Sequence, residues 1–403
     1  MSQYVLALDQ GTTSSRTILF GRDGRAVATA QQRVPADLPR PGPRRARPGG
    51  DLVLAARHRQ RKRWPRPGPR PRTSPPSGIT NQRETTILWD RQTGQPVANA
   101  IVWQSRVSAP ICETLKADGQ GGAVPHAHGP RRRRLFSGTK IKHLLDTIPG
   151  LRARAEEGEI LFGTVDTFLM WRLTGGRVHV TDPSNASRTL LYNIHSLQWD
   201  DELLEVLGVP RALLPEVQSS SEVYGQTRSR RCSGRRSRSP ATRAISRRPR
   251  FGQACFDARL RPRTRTAPAA SCSSTRAASR WRRRTACSRR SGWKVGGKVT
   301  YCLEGSVFIA GAVVQWLRDG LKRDRDLAGR RGARRAPCRT AGGVYLVPAF
   351  VGLGAPYWDP YARGTIIGLT RNTTVEPRGA GGAGLDGLPD PRRARRHAAR
   401  RRG

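Results

Sequence analysis

Two kinds of sequence alternate along this 403-residue chain, and only one of them can build a core. Five stretches, 36–77, 120–134, 228–293, 323–340 and 375–403, are dominated by Arg, Pro, Gly, Ala and Ser, with no period of two or of 3.6. They hold 52 of the 74 Lys and Arg residues but only 8 of the 29 Asp and Glu. The remainder keeps 22 basic and 21 acidic residues, so the formal charge of +45 belongs to the irregular stretches. The rest reads as a near-neutral globular protein interrupted five times.

A charge of that size ordinarily points to nucleic acid. These stretches, however, offer only Trp64, Phe251, Phe256, Trp281 and Trp293 for base stacking. Arginine-rich disordered insertions also rarely interrupt one fold repeatedly. A GC-rich coding region read out of frame yields Arg, Pro, Gly, Ala and Ser, and that account fits the composition better. Non-specific nucleic-acid binding stands as the alternative.

The seven cysteines show no CxxC pair and no zinc-ligand spacing, so free thiols in a reducing compartment are expected. The start MSQYVLALD lacks the pattern of a signal peptide, and no run of eighteen apolar residues occurs. A cytoplasmic protein with no membrane partner is the expectation.

The orderly blocks begin with a strand, Tyr4 to Leu8, a turn Gln10-Gly11-Thr12-Thr13-Ser14-Ser15-Arg16, and a second strand, Thr17 to Phe20. Gly11 permits a tight turn, Thr12, Thr13 and Ser14 offer donors, and Arg16 adds a fixed positive charge. Asp9 stands where a carboxylate could meet a magnesium ion on a nucleotide phosphate. An ordinary hairpin turn built from turn-forming residues is the plain alternative. Asp23-Gly24 predicts another hairpin turn and Ala26 to Val34 a third strand. Further on, AIVWQ at 100–104 reads as a buried strand, and Val107, Ile111 and Leu115 have helical spacing. Gly163 to Thr167 opens a helix with Thr164 or Asp166 as its cap. GSVFIAGAVVQWLRDGLK near 305–322 is helix-like.

Taken together, the stretches LALDQGTTSSR, GITNQRETTILWD, AIVWQ, LFSGTKIKHLLD, GTVDTFLMWRLTGGRVHVTDPSNASRTLLYNI, YCLEGSVFIAGAVVQWLRD and PAFVGLGAPYWDPYARGTIIGLTR resemble the glycerol kinase branch of the FGGY carbohydrate kinases. The resemblance implies an α/β, two-domain actin/hexokinase-like ATPase fold. The N-terminal domain would span 1–250, irregular at 36–77, 120–134 and from 228. The C-terminal domain would span 251–403, disrupted and incomplete, with apolar faces left uncovered. The implied reaction is phosphorylation of glycerol by ATP with magnesium, giving sn-glycerol 3-phosphate and ADP; a homo-oligomer is the usual form.

By the same resemblance, Asp9 is the metal-facing carboxylate, and Thr12, Thr13, Ser14 and Arg16 cradle the nucleotide phosphates. Gly311 and Gln315 are nucleotide contacts of the second domain. Arg83 and Glu84 hold the glycerol hydroxyls, and Trp103 walls the carbon chain. A triol needs paired donors and acceptors, and an Arg-Glu couple supplies both. Each has a plainer reading: a solvated surface pair for Arg83 and Glu84, core packing for Trp103, close helix packing for Gly311 and Gln315. His143, His179 and His195 read as structural. A kinase of another sugar, such as xylulose, would lack the Arg83–Glu84 pair.

The departures concern catalysis. The resemblance calls for a tyrosine before FSGTK, where Leu135 stands. It calls for a general-base aspartate six residues before FGQ, where Ile245 stands, followed by Ser246. Asp257 lies on the wrong side of that block. A YGTG element and the second glycine-rich nucleotide element have no counterpart. No catalytic base is therefore assigned, and a poor or inactive catalyst is expected, since a positioned base contributes about 10²–10⁴-fold.

Overall fold

The computed structural model describes residues 4–12, 14–33, 45–46, 76–119, 136–227, 241–245, 263–266, 270–276, 288–320 and 343–371. The chain divides into two compact units that do not follow a single cut. One holds 1–265 with 271–306, the other 266–270 with 307–403.

The first unit is built on a four-stranded sheet. Tyr4–Gln10 (β1) pairs antiparallel with Ser14–Gly21 (β2), and β2 with Ala26–Arg33 (β3). On its other side β1 runs parallel to Ser77–Asn81 (β4). The turn between β2 and β3 is the expected one: Gly24 sits at φ +77°, a conformation Asp-Gly turns need. Leu6 and Leu8 of β1 and Ile79 of β4 face a common core with Val165, Phe168, Leu169 and Met170 of the helix Val165–Thr174. That helix is buried almost all round, which explains why its sequence shows no single apolar stripe. It ends at Gly175 in the left-handed region, φ 71°.

A second core lies behind the antiparallel pair Ile87–Asp90 (β5) and Ile160–Gly163 (β6). Period-two alternation divides their side chains: Ile87, Trp89 and Leu161 join the first core, and Leu88, Ile160 and Phe162 the second. Trp89 is fully buried against Phe168, with ring centroids 5.1 Å apart, and against Trp171 at 5.9 Å. Gly163 is required at that junction, because a Cβ there would stand 2.7 Å from Thr167 Cβ and 2.9 Å from the Trp89 ring. The expected helix of 105–118 forms as Ala109–Ala117, with Leu115 buried and Val107 and Ile111 against the second core.

Three expectations need correction. The stretch 228–293 contributes strands: Ala241–Ile245, Arg263–Thr266, Ala270–Arg276 and most of Ser288–Val295. The last two flank the apolar strand Lys298–Val307 in a four-stranded sheet, so the backbone ladder of a good strand recruits neighbours of poor pattern. GSVFI is the end of that strand and the next turn, and the helix is only Gly311–Gln315, followed by a π turn over Trp316–Gly320. Thr164 does occupy the cap position of its helix, but its hydroxyl donates to Asp166 and not to the helix backbone.

Within the second unit, Tyr345–Val347 pairs antiparallel with Thr365–Ile367. Trp316 packs on Phe350 with centroids 4.7 Å apart, and Phe308 on Trp358 at 6.1 Å. Tyr345, Tyr357, Ile366, Ile367 and Leu369 are exposed.

Candidate acceptor and phosphate site

The β1–β2 turn closes on itself: the Gly11 N–H donates to Ser14 O at 2.9 Å, and Ser15 Oγ donates to Gln10 Oε1 at 2.7 Å. Register places Asp9 opposite Arg16 on β2 and beside Thr80 on β4, half-buried at the end of its strand. The Arg16 guanidinium is held away on β3, donating to Gln31 Oε1 at 3.2 and 3.0 Å; Gln31 in turn donates to Ser14 Oγ at 3.0 Å. Trp103 joins the loop, its indole Nε1 donating to Thr12 Oγ1 at 3.0 Å. Thr12 and Trp103, 91 positions apart, therefore meet. Thr13, Leu135, Ser246 and Asp257 lie outside the described residues.

Immediately after β4 come Arg83 and Glu84, and neither is a solvated surface residue. Glu84 is 5% exposed and takes φ 62°, a left-handed conformation uncommon for this residue type. Its carbonyl is anchored by buried Lys140 Nζ at 2.8 Å, with Ser137 Oγ at 3.4 Å. Its carboxylate accepts from Arg188 Nε. Arg83 forms a two-pronged pair with Glu304, Nη1 to Oε2 at 3.1 Å and Nη2 to Oε1 at 2.8 Å. Arg188 Nη1 lies 3.2 Å from Glu304 Oε2 and Arg290 Nε 2.8 Å from it. Three guanidiniums thus converge on one buried carboxylate. Arg188 also covers the Phe136 ring at 4.7 Å.

Burial alone would push the Glu304 carboxyl up, but Arg290, Arg83 and Arg188 overcome it and hold the group well below the carboxylate range. Burial likewise works against the Arg83 charge, and Glu304 and Glu84 outweigh it, raising Arg83 above its ordinary value. Arg290 goes the other way: burial brings it down to about 10 despite Glu304. Its side chain is 3% exposed, against 23% for Arg83.

Beside this cluster runs a second buried network. Asn81 Nδ2 donates to Asp166 Oδ1 at 3.0 Å, and the Thr164 and Thr181 hydroxyls also donate to Asp166, the latter at 2.9 Å. Asp182 caps the short helix Pro183–Ala186 through Asn185 N at 2.9 Å and accepts from Ser220 Oγ at 2.6 Å. Burial, more than anything its hydrogen bonds offset, pushes Asp166 up to about 6. His179, donating from Nε2 to Phe162 O at 2.8 Å and edge-on to Trp89, is brought down to about 4 by burial.

Asp166 and His179 oppose each other in one pH window. Native Asp166 binds its proton more tightly than the unfolded chain does. Its stabilising contribution is complete below about pH 4 and is lost as pH rises through 6, about 3 kcal/mol in all. Native His179 binds a proton less tightly than when unfolded, so stability is gained over about pH 4 to 6.5, again by roughly 3 kcal/mol. Urea unfolding of the parent should vary little from these two groups between pH 4 and 6.5. Asp166→Asn should make stability rise with pH, and His179→Gln should make it fall. Parallel profiles for the two variants would refute the assignment.

Gly311 and Gln315 open and close the one-turn helix of the second unit, with Val313 buried between them. Ile245, at the position counted for the base, ends the strand Ala241–Ile245, pairs with Ser221 and belongs to a strand running beside β4. Arg188, Glu304, Arg290 and Lys140 were not singled out in the sequence. Three of them sit in recognised blocks (ASR, LEG and SGTK), but their roles depend on pairings such as Arg83–Glu304 across 221 positions.

A mixed sheet with a turn-borne hydroxyl loop beside a braced Arg-Glu couple defines a kinase-like nucleotide and hydroxyl-acceptor scaffold. The chain belongs to the FGGY family of carbohydrate kinases: the family's N-terminal domain matches residues 4–235 and its C-terminal domain residues 284–389. Within that family its similarity is to glycerol kinases. It is 48% identical over 375 residues to "Glycerol kinase 2" of Thermotoga maritima, covering 93% of this chain and 75% of that protein. It is 46% identical over 381 residues to the glycerol kinase of Geobacillus kaustophilus, with the same coverage. Among solved structures, Plasmodium falciparum glycerol kinase with ADP matches with a TM-score of 0.69 at 26% identity, covering 92% of this chain and 73% of that one. A ligand-bound xylulose kinase from Lactobacillus acidophilus shares the fold, with a TM-score of 0.67 at 20% identity over 91% of this chain and 73% of that one. No helix among the described residues is long and apolar enough to cross a membrane.

Proposed function

We propose that this chain binds glycerol at Arg83, Glu84 and Trp103 and phosphorylates it from ATP to sn-glycerol 3-phosphate, slowly, for want of an aspartate at position 245. One observation carries the acceptor reading. Glu304 takes one N–H from each terminal nitrogen of the Arg83 guanidinium, while Arg83 alone of the three arginines keeps exposure. Arg83 therefore has N–H donors left for substrate hydroxyls, and Glu84, fixed by Arg188 and Lys140, has a second carboxylate oxygen to accept from them. Trp103, tethered to Thr12, supplies a wall for the carbon chain next to the phosphate loop.

Magnesium with ATP fits the residues present. Among the described residues no group of three or more His, Cys, Asp or Glu could hold a metal ion. Magnesium in kinases is held by one or two carboxylates plus substrate phosphates and water, and half-buried Asp9 supplies such a carboxylate. When bound it would neutralise charge on the transferring phosphate. Thr12 and Ser14, with Thr13 and a released Arg16, would donate to the phosphates. A cytoplasmic ATP pool and a homo-oligomer accompany this reading.

Calorimetric titration of the full chain with glycerol tests it. Binding at one site, weakened at least tenfold by Glu84→Gln, is expected, as loss of a charged hydrogen bond costs about 1.5–3 kcal/mol. No glycerol binding by a chain that unfolds cooperatively would refute it.

A further inference from the structure

Glu304 is oversubscribed. Its two oxygens accept both prongs of Arg83, and Oε2 also lies 3.2 Å from Arg188 Nη1, which leaves Arg290 as the surplus cation. Arg290 Nε comes within 2.8 Å of Glu304 Oε2 but out of hydrogen-bond alignment. Neither Nε nor Nη1 of Arg290 has a hydrogen-bond partner, although the residue is 2% exposed. Its neighbour Ser291 has a buried Oγ that is also unpaired. Buried guanidinium N–H groups without acceptors are costly, and an oxyanion satisfies several at once through the planar fork. A carboxylate already shared by Arg83 and Arg188 cannot do so.

We propose that Arg290 is the primary ligand of an anion site beside the Arg83–Glu84 couple, and that the site takes a phosphoryl oxyanion. Two sources share this chemistry, free phosphate and the phosphate group of a phosphorylated polyol. The site stands on the Arg290 geometry and does not require that glycerol be the acceptor.

The test is calorimetric titration of the full chain with inorganic phosphate and, separately, with sn-glycerol 3-phosphate. A chloride background strong enough to screen the exposed arginines suppresses surface binding. One site is expected in the parent. Arg290→Gln should weaken it about tenfold or more, and Arg290→Lys, which keeps charge without the fork, should fall between. Binding of the ester and not of phosphate, weakened by Arg290→Gln, identifies a phosphorylated polyol as the ligand; binding of phosphate alone identifies the free ion. Many weak equivalent sites, or equal affinity in parent and Arg290→Gln, would overturn the proposal. Should Arg290→Gln fail to fold, thermal unfolding of the parent decides. Phosphate should raise Tm where sodium chloride of equal ionic strength does not, and equal shifts would reject the site.

Discussion

Ile245→Asp is expected to raise glycerol-dependent ADP release by about 10²–10⁴-fold, the usual worth of a positioned general base. Ile245 ends a strand whose backbone is paired to Ser221 and which runs beside β4, the strand leading directly into Arg83 and Glu84. On the proposed reading position 245 is the base's place, held here by a hydrocarbon that cannot take the proton of an attacking hydroxyl. An aspartate there could take it while the phosphate is transferred. Ile245→Asn is the matching control: similar in size to aspartate, polar, and unable to act as a base, it should leave the rate near the parent value. A coupled assay of ADP release against glycerol concentration reads the result. Equal rates for parent and Ile245→Asp would show that position 245 is not where the proton goes.

The second large effect concerns the charge cluster. Glu304→Gln keeps the size of the side chain and removes the charge that Arg83, Arg188 and Arg290 share. Breaking a buried ion pair by neutralising one partner typically costs 3–5 kcal/mol, since the remaining charges stay desolvated. For a unit of this size that corresponds to a drop in Tm of roughly 10 °C, at about 2–4 °C per kcal/mol. Glu113→Gln provides the contrast. Its pair with Lys116 at 2.8 Å is about half exposed on both sides, and its loss should be below about 1 kcal/mol. Thermal unfolding of both variants in phosphate-free buffer makes the comparison. A Glu304→Gln variant as stable as Glu113→Gln would mean that the cluster is not electrostatically coupled.

Much of the fold was readable in the residues because it rests on local chemistry. Apolar runs specified β1 and β2, alternation specified β3, Asp23-Gly24 specified their second turn, and Gly163 to Thr167 specified the start of the central helix. Arg83 and Glu84 stood out as a candidate pair through the short motif around them. Period and motif could not show that strands would form within 228–293, because those strands exist through their neighbours' hydrogen bonds. Nor could they show that Arg16 would be drawn to Gln31, or that Gly305 to Val307 would extend a strand before any helix began.

The sequence by itself determined the family and the orderly blocks, and it pointed to the Arg83–Glu84 couple, since each depends on residues close together in the chain. Only the tertiary structure decided what holds that couple. Glu84 meets Arg188 across 104 positions and Arg83 meets Glu304 across 221, and a buried charge takes its character from whichever groups the fold brings within a few ångströms.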